Sequence, residues 1–75
     1  MKTIKTFTTQ LHGWQTEYSI TINQSEVAVF KDELQINWGF FSADDAEEWF
    51  LQEYLPVQDD GTELVFINDE YVGNN

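Results

Sequence analysis

Residues 17–23, EYSITIN, decide the fold class of this chain. Tyr18, Ile20 and Ile22 alternate with polar residues, and this period of two predicts a β-strand with one buried face. The same alternation returns in residues 34–40, LQINWGF, where it predicts a second strand. The middle of the chain therefore indicates a β-sheet.

Two further strands are predicted in the first half of the chain. Residues 2–9, KTIKTFTT, are rich in Thr, which favours strand over helix. Residues 27–30 form a short apolar run that is compatible with a more fully buried strand. Turn-forming side chains at 23–25 and a polar break at 31–33 separate the strands. Connections this short predict a meander of four antiparallel strands.

A single helix is predicted from about residue 43 to residue 54. Ser42 is expected to be its N-cap, because a Ser hydroxyl can accept a hydrogen bond from the backbone N–H three residues on. Pro56 is expected to prevent its continuation and to bias Leu55 away from helical geometry. The side chains predicted to pack on the sheet share one helix face, namely Ala43, Ala46, Phe50 and Tyr54, flanked by Trp49 and Leu51.

The remaining residues predict one more strand between two turns. Turn signals at 59–61 and 68–70 bracket a compact apolar strand at 64–67, ahead of residues 71–72. The terminal residues 73–75 are expected to fray. The predicted fold is therefore α+β, an antiparallel sheet of four to five strands in β-β-β-β-α-β order with one helix packed on one face.

Size and composition limit the classes of protein that this chain can be. Residues 1–75 are predicted to form a single compact domain with a small core. There is no Cys, so neither a disulfide nor a thiolate metal site is available. No apolar run approaches the roughly 18 residues of a membrane span, and no hydrophobic leader precedes a cleavage site. A soluble protein in the cytoplasm, with no membrane partner, is expected.

The acidic charge is the strongest functional signal. Fourteen Asp and Glu against three Lys give a net charge of −11, and all but one of the acids follow residue 25. Such an imbalance is a statement about solubility and partners rather than about fold. We expect a basic, nucleic-acid-binding protein or complex as partner. Direct binding of nucleic acid is disfavoured, because the field of the chain would repel phosphates.

The helix carries the most ordered part of this charge. Its acids have no basic residue three or four positions away to pair with. Like charges at those spacings destabilise a helix, so a helix optimised for stability would place Lys there. Carboxylates at this spacing resemble the charge density of a nucleic-acid backbone, which predicts mimicry of DNA. The competing interpretation is a solvated face selected only for solubility or by a salt-rich habitat. The predicted partner-binding residues are Asp44, Asp45, Glu47, Glu48 and Glu53 on the helix and Asp32, Glu33, Asp59, Asp60 and Glu63 on the loops.

Catalytic chemistry is not expected, and neither is a cofactor. His12 is the only His and there is no Arg or Cys, so the usual nucleophiles and proton carriers are scarce. The four glycines are isolated and form no phosphate-binding loop. Residues 59–63, DDGTE, fail the spacing of a calcium loop at every register. An ordinary turn is favoured there, with a weak divalent site as the alternative.

The aromatic residues are predicted to serve the core rather than a binding platform. Trp14, Trp38 and Trp49 are expected inside, because a small sheet-and-helix core must be filled by large side chains. Phe40 and Phe41 cannot both point inward along a strand, so one of them is expected to be exposed or tucked under the helix start.

One set of residues and spacings runs through residues 1–56: Met1-Lys2, Ile4-Lys5, Thr9-x-Leu11, Phe40-x-Ser42, Trp49-Phe50 and Leu55-Pro56. This set resembles a small phage-encoded anti-CRISPR family directed at the type I-F surveillance complex. The resemblance implies an antiparallel sheet with packed helical structure. It also implies a protein that binds a Cas backbone subunit in the host cytoplasm, so that target DNA cannot pair with the guide. No contact residue of that family maps onto this sequence.

Three functional hypotheses follow from the sequence. The first is a non-enzymatic phage-type inhibitor, an anti-CRISPR or similar anti-defence protein, whose acidic surface blocks the nucleic-acid site of a host complex. The alternative is an immunity protein or interaction module that neutralises a basic toxin or nuclease. The third is a general acidic accessory protein with no connection to nucleic acids, which gains if the carboxylates are scattered evenly over the fold.

Overall fold

The structure, a computed structural model, describes residues 1–73. Its elements are β1 (Lys2–Leu11), β2 (Trp14–Asn23), β3 (Glu26–Lys31), β4 (Leu34–Phe40), α1 (Ala43–Trp49), a π-helical turn (Phe50–Tyr54), a 3₁₀ turn (Leu55–Val57), β5 (Glu63–Ile67) and β6 (Glu70–Tyr71). The predicted α+β class is confirmed. The sheet has six strands rather than four to five, because the chain ends in a hairpin that adds the two-residue β6. The predicted fraying of Asn74 and Asn75 lies outside the described residues.

The antiparallel sheet has the strand order β4-β3-β2-β1-β5-β6. Four strands form the predicted meander, and the chain then crosses one face as the helix and adds β5 on the far side of β1. Phe7 of β1 consequently pairs with Tyr18 of β2 on one side and with Ile67 of β5 on the other. The N-terminal strand therefore lies inside the sheet, and the edges are β4 and β6.

Tight hairpins make several strands longer than predicted. Three two-residue turns have positive φ at both central positions, namely His12-Gly13, Gln24-Ser25 and Asn68-Asp69. Positive φ at both positions is what a type I′ turn requires, and that turn matches the twist of the flanking strands. Because only two residues turn between β1 and β2, β2 begins at Trp14 and not at Glu17 as predicted. Residues 14–17 extend past the end of β3, whose Lys31 pairs with Tyr18.

The core lies between the sheet and the helix. Phe50 and Ala46 of the helical segment are fully buried against Phe7, Tyr18 and Ile20 of the central strands. The Phe50 ring stacks on Phe7 at 4.7 Å between centroids and lies 4.8 Å from Tyr18. The helix face predicted from the sequence is therefore confirmed as the face that packs on the sheet.

The helix differs from the prediction in its second half. It is α-helical only over Ala43–Trp49 and then widens, so that the Leu55 N–H donates to the Phe50 carbonyl. The wider turn brings the rings of Trp49 and Tyr54 together, with 5.3 Å between their centroids. In an α-helix these two side chains, five residues apart, would point in different directions. The expectation that Leu55 leaves helical geometry was wrong, since its φ is −59° and its ψ −42°. A 3₁₀ turn accommodates Pro56 near its start, where the fixed φ of proline is tolerated.

Candidate partner-binding surface

Three helix acids form an outward-facing group. The Ser42 hydroxyl accepts a hydrogen bond from the Asp45 backbone N–H at 3.2 Å, so the predicted N-cap is confirmed. This cap fixes the first turn while Ala46 packs inward, and Asp44, Asp45 and Glu48 consequently point to solvent. All three are exposed. Asp44 and Glu48 are four residues apart on one helix face, where Cβ atoms lie about 5 to 6 Å from each other.

Glu47 does not belong to that exposed group. Both of its carboxylate oxygens accept hydrogen bonds from Lys5 Nζ of β1 at 2.9 Å, and both side chains are about three-quarters buried. The expectation that the helix acids are unpaired was therefore wrong for Glu47. Its partner lies 42 residues earlier in the sequence, beyond the reach of helix spacing rules.

The loop acids lie on two turns and the beginning of a strand. Asp32 and Glu33 form the β3–β4 turn, and Glu63 opens β5 beside Gln10. Asp59 and Asp60 belong to a turn closed by the Thr62 N–H, which donates to the Asp59 carbonyl at 3.0 Å. This turn agrees with the prediction for residues 59–61. All five of these acids are exposed.

The structure divides the predicted residues between the two ends of the sheet. Phe40 at the end of β4 pairs with Val27 at the start of β3, so the start of the helix, with its three exposed acids, lies at that end. The β3–β4 turn and the start of β5 lie at the other end, beside the extended β1–β2 hairpin. Glu53 is exposed in the π-helical turn. The ten candidates therefore form two groups rather than one continuous patch.

Four exposed carboxylates fall outside the predicted set, and they are Glu17, Glu26, Asp69 and Glu70. Three of them lie in or beside hairpin turns, at 26 and at 69–70. The turn preference of Asp could have indicated Asp69, whereas no sequence signal singles out the three Glu residues. Negative charge consequently surrounds much of the molecule, and the helix group is distinguished by its regular spacing on a packed element.

Large aromatic side chains are exposed at three separate places, one of which is Tyr71 on β6. Trp14 at the tip of the β1–β2 hairpin is 80% exposed, Trp38 on β4 is 58% exposed and Phe41 is 99% exposed. The prediction that Trp14 and Trp38 fill the core was wrong, whereas Trp49 packs against Phe40 with ring centroids 5.7 Å apart. The predicted division of the Phe40-Phe41 pair is confirmed, with Phe41 as the exposed member.

A shallow cleft of about 250 Å³ lies between the β1–β2 hairpin and residues 58–62. Its lining includes His12, Trp14, Lys31, Asp59 and the buried Tyr18. Burial raises the pKa of Tyr18, and the Tyr54 hydroxyl 3.5 Å away and the negative charge of Asp32 act in the same direction. The cleft therefore combines a neutral phenol with three other titratable side chains, those of His12, Lys31 and Asp59.

Within residues 1–73 no group of three or more His, Cys, Asp or Glu side chains is placed to hold a metal ion. None of the helices described there is long and apolar enough to cross a membrane. Comparison of the chain with protein-family models, with curated proteins and with solved structures found no match in any of the three.

Proposed function

We propose that this protein is a non-enzymatic inhibitor that binds a basic, nucleic-acid-handling protein through its acidic surface. The observation that carries the proposal is the balance of ion pairs. Among the described residues there is one salt bridge, Lys5 to Glu47, while the chain contains fourteen acids. Thirteen carboxylates thus lack a cationic partner within the fold. Such a surface stabilises a complex with a Lys- and Arg-lined groove more than it stabilises the protein itself.

The exposed helix acids are the part of this surface best suited to occupy a nucleic-acid site. They repeat at about 5 to 6 Å on one side of a helix, and that helix is held to the sheet by Phe50 and Ala46. Because this packing already fixes the backbone that carries the carboxylates, binding orders only their side chains, which lowers the cost of association. The proposal is therefore that the helix presents charges where a groove normally receives phosphates.

The finer form of the proposal is an anti-CRISPR or similar anti-defence protein acting in the host cytoplasm. Its support is the resemblance over residues 1–56, together with the small size of the chain and its acidity. An immunity protein or interaction module for a basic toxin or nuclease would use the same charges against a single small enzyme. A general acidic accessory protein would bind neither a DNA-targeting complex nor a toxin, and the spread of exposed carboxylates around the molecule favours this third hypothesis more than a single patch would.

The test is an affinity capture from lysate of the native host at about 0.1 M and about 0.5 M NaCl, since salt screens exposed charges. A multisubunit DNA-targeting complex released at high salt supports the finer proposal, and a lone basic toxin supports the alternative. Capture that does not depend on salt contradicts the electrostatic mechanism. Capture of proteins that have no connection with nucleic acids also contradicts it. The captured partner is then assayed for nucleic-acid binding with and without this protein.

A matched pair of variants separates the helix acids from bulk charge. Asp44→Asn with Glu48→Gln removes two charges from the helix, and Asp69→Asn with Glu70→Gln removes two from the β5–β6 hairpin. We expect the helix variant to weaken binding about 3- to 30-fold, from up to about 1 kcal/mol per exposed ion pair, and to reduce the salt dependence. Equal effects of the two variants would contradict the assignment to the helix.

A further inference from the structure

We propose that contact with the basic partner is centred on an aromatic corner, formed by Trp38 and Phe41 between β4 and α1, that enters an apolar pocket rimmed by Lys and Arg. This inference rests on the proposed function, and it states where on the protein the proposed partner makes contact. The acids attract the partner over distance, and the aromatic corner supplies the short-range affinity.

The corner combines exposure with an absence of charge. Trp38 is 58% exposed and Phe41 99% exposed, and residues 34–43 carry no charged side chain. Asp44 and Asp45 follow the segment at the start of the helix, whereas Asp32 and Glu33 precede it at the other end of β4. Apolar side chains beside charged ones are common in protein–protein contacts, and Trp is among the residues that dominate binding energy there.

A local irregularity of β4 directs Trp38 outward. Residues two apart in a strand share a face, yet Phe40 pairs with the core residue Val27 while Trp38 pairs with Ala28, whose side chain points to the opposite face. The register shifts between these two pairs, and Gly39 has a φ of +83°. A bulge with glycine at positive φ is a common device for re-aiming a side chain. Without it Trp38 would share the helix-covered face with Phe40.

The corner lies at the β4 edge of the sheet, between its two faces. Trp38 and Phe41 are three residues apart, so their Cα atoms lie within about 11 Å of each other. Trp38 lies on the sheet face opposite the helix, whereas Asp44, three residues after Phe41, lies on the helix side. A partner that contacts both rings and the helix acids therefore extends around the β4 edge.

The net charge of the chain indicates which kind of molecule binds the aromatic corner. A second copy would bring another −11 to a surface bordered by Asp44 and Asp45, and like charges at an interface oppose association. A basic partner with an apolar pocket gains from both the rings and the rim. The geometry therefore points to a heterologous, basic partner rather than to self-association.

A pair of synthetic peptides tests this proposal directly, whatever the natural partner is. The intact protein is titrated with a seven-residue peptide that has two arginines at each end and Leu-Trp-Leu in the middle. A second peptide of equal charge has Gly-Ser-Gly in the middle. Binding is followed by NMR chemical shifts of the ¹⁵N-labelled protein at low salt and at about 0.15 M NaCl. We expect the apolar peptide to bind about tenfold more tightly or better, with shifts centred on the Trp38 indole N–H and on Phe41.

Matched variants complete the design. Trp38→Ala and Phe41→Ala are expected to abolish the difference between the two peptides, whereas Trp14→Ala, which removes an exposed Trp from the other end of the sheet, is expected to leave it unchanged. Equal affinity of the two peptides, or shifts centred on Trp14, would overturn the aromatic corner alone. Failure of both peptides to bind even at low salt would contradict the proposed function as well. A dimer that is lost in Trp38→Ala, measured by sedimentation velocity, would identify a second copy as the occupant and overturn the inference.

Discussion

The replacement Phe50→Ala tests whether the buried aromatic core holds this small domain together. Phe50 is fully buried, and its ring lies within 5.7 Å of those of Phe7, Tyr18 and Tyr54. The residue joins the helical layer to the two central strands. Its removal therefore leaves a cavity at the centre of the contact between the two layers.

The expected magnitude follows from burial and size. A fully buried Phe replaced by Ala costs about 3 to 5 kcal/mol, as lost apolar transfer plus a cavity that closes only in part. A domain of this length has a free energy of unfolding of about 4 to 11 kcal/mol, at roughly 0.05 to 0.15 kcal/mol per residue. The variant is therefore expected to lose at least a quarter of its stability and, at the lower end of that range, to unfold.

Phe41 supplies a control with the same chemical change. At 99% exposure its ring contributes little to the core, and Phe41→Ala is expected to change stability by less than about 0.5 kcal/mol. Both variants are measured by urea unfolding followed by circular dichroism. Phe50→Leu is included because it retains most of the apolar volume and stays measurable if the Ala variant does not fold. If Phe50→Ala lies within about 1 kcal/mol of the wild type, or if Phe41→Ala costs as much, the packing of the helix on the sheet through Phe50 is wrong.

Three further predictions concern the cap, a turn and the buried phenol. Ser42→Ala is expected to cost about 1 kcal/mol by removing the acceptor for the Asp45 N–H, and Ser42→Asp should restore most of it in the same urea assay. Ser25→Gly is expected to stabilise the protein by about 1 kcal/mol, because Ser25 holds a φ of +72°, which Gly adopts with less strain than Ser; no gain in unfolding free energy would refute a positive φ there. Burial raises the pKa of Tyr18 in the folded state. The neutral phenol therefore makes its full contribution to folding stability below the pKa of about 10 that Tyr has in the unfolded chain, and that contribution is lost as pH rises above this pKa. Unfolding measured between about pH 9 and pH 11 should therefore show a smaller loss of stability in Tyr18→Phe than in the wild type.

The local features of the fold were predictable where short-range rules apply. The strand over residues 34–40 was found with its bounds because alternation is a property of the strand itself, and β4 is Leu34–Phe40. The buried helix face and the Ser42 cap follow from helical spacing and from one hydroxyl. These features are independent of the rest of the chain.

The features that were missed depend on tertiary structure or on backbone irregularity. Alternation places Trp38 and Phe40 on one face, and the bulge at Gly39 separates them. The pairing of Glu47 with Lys5 requires the crossing of the helix over β1, which no spacing rule contains. Trp14 was assigned to the core by residue type, although a tight turn carries it to an exposed hairpin tip. The candidate acids were identified one by one from the sequence. Their division between the two ends of the sheet follows from how the strands pair.

The position of β1 inside the sheet has a consequence for how the chain reaches its native state. Phe7 pairs with Ile67, sixty residues later, so one side of β1 stays open until β5 has left the ribosome. The meander and the helix can form earlier from neighbouring residues, while closure between β1 and β5 must overcome the entropy of a long loop. During synthesis the unpaired side of β1 is therefore a temporary edge that invites pairing with other chains. Truncation before Glu63 would make that temporary edge permanent.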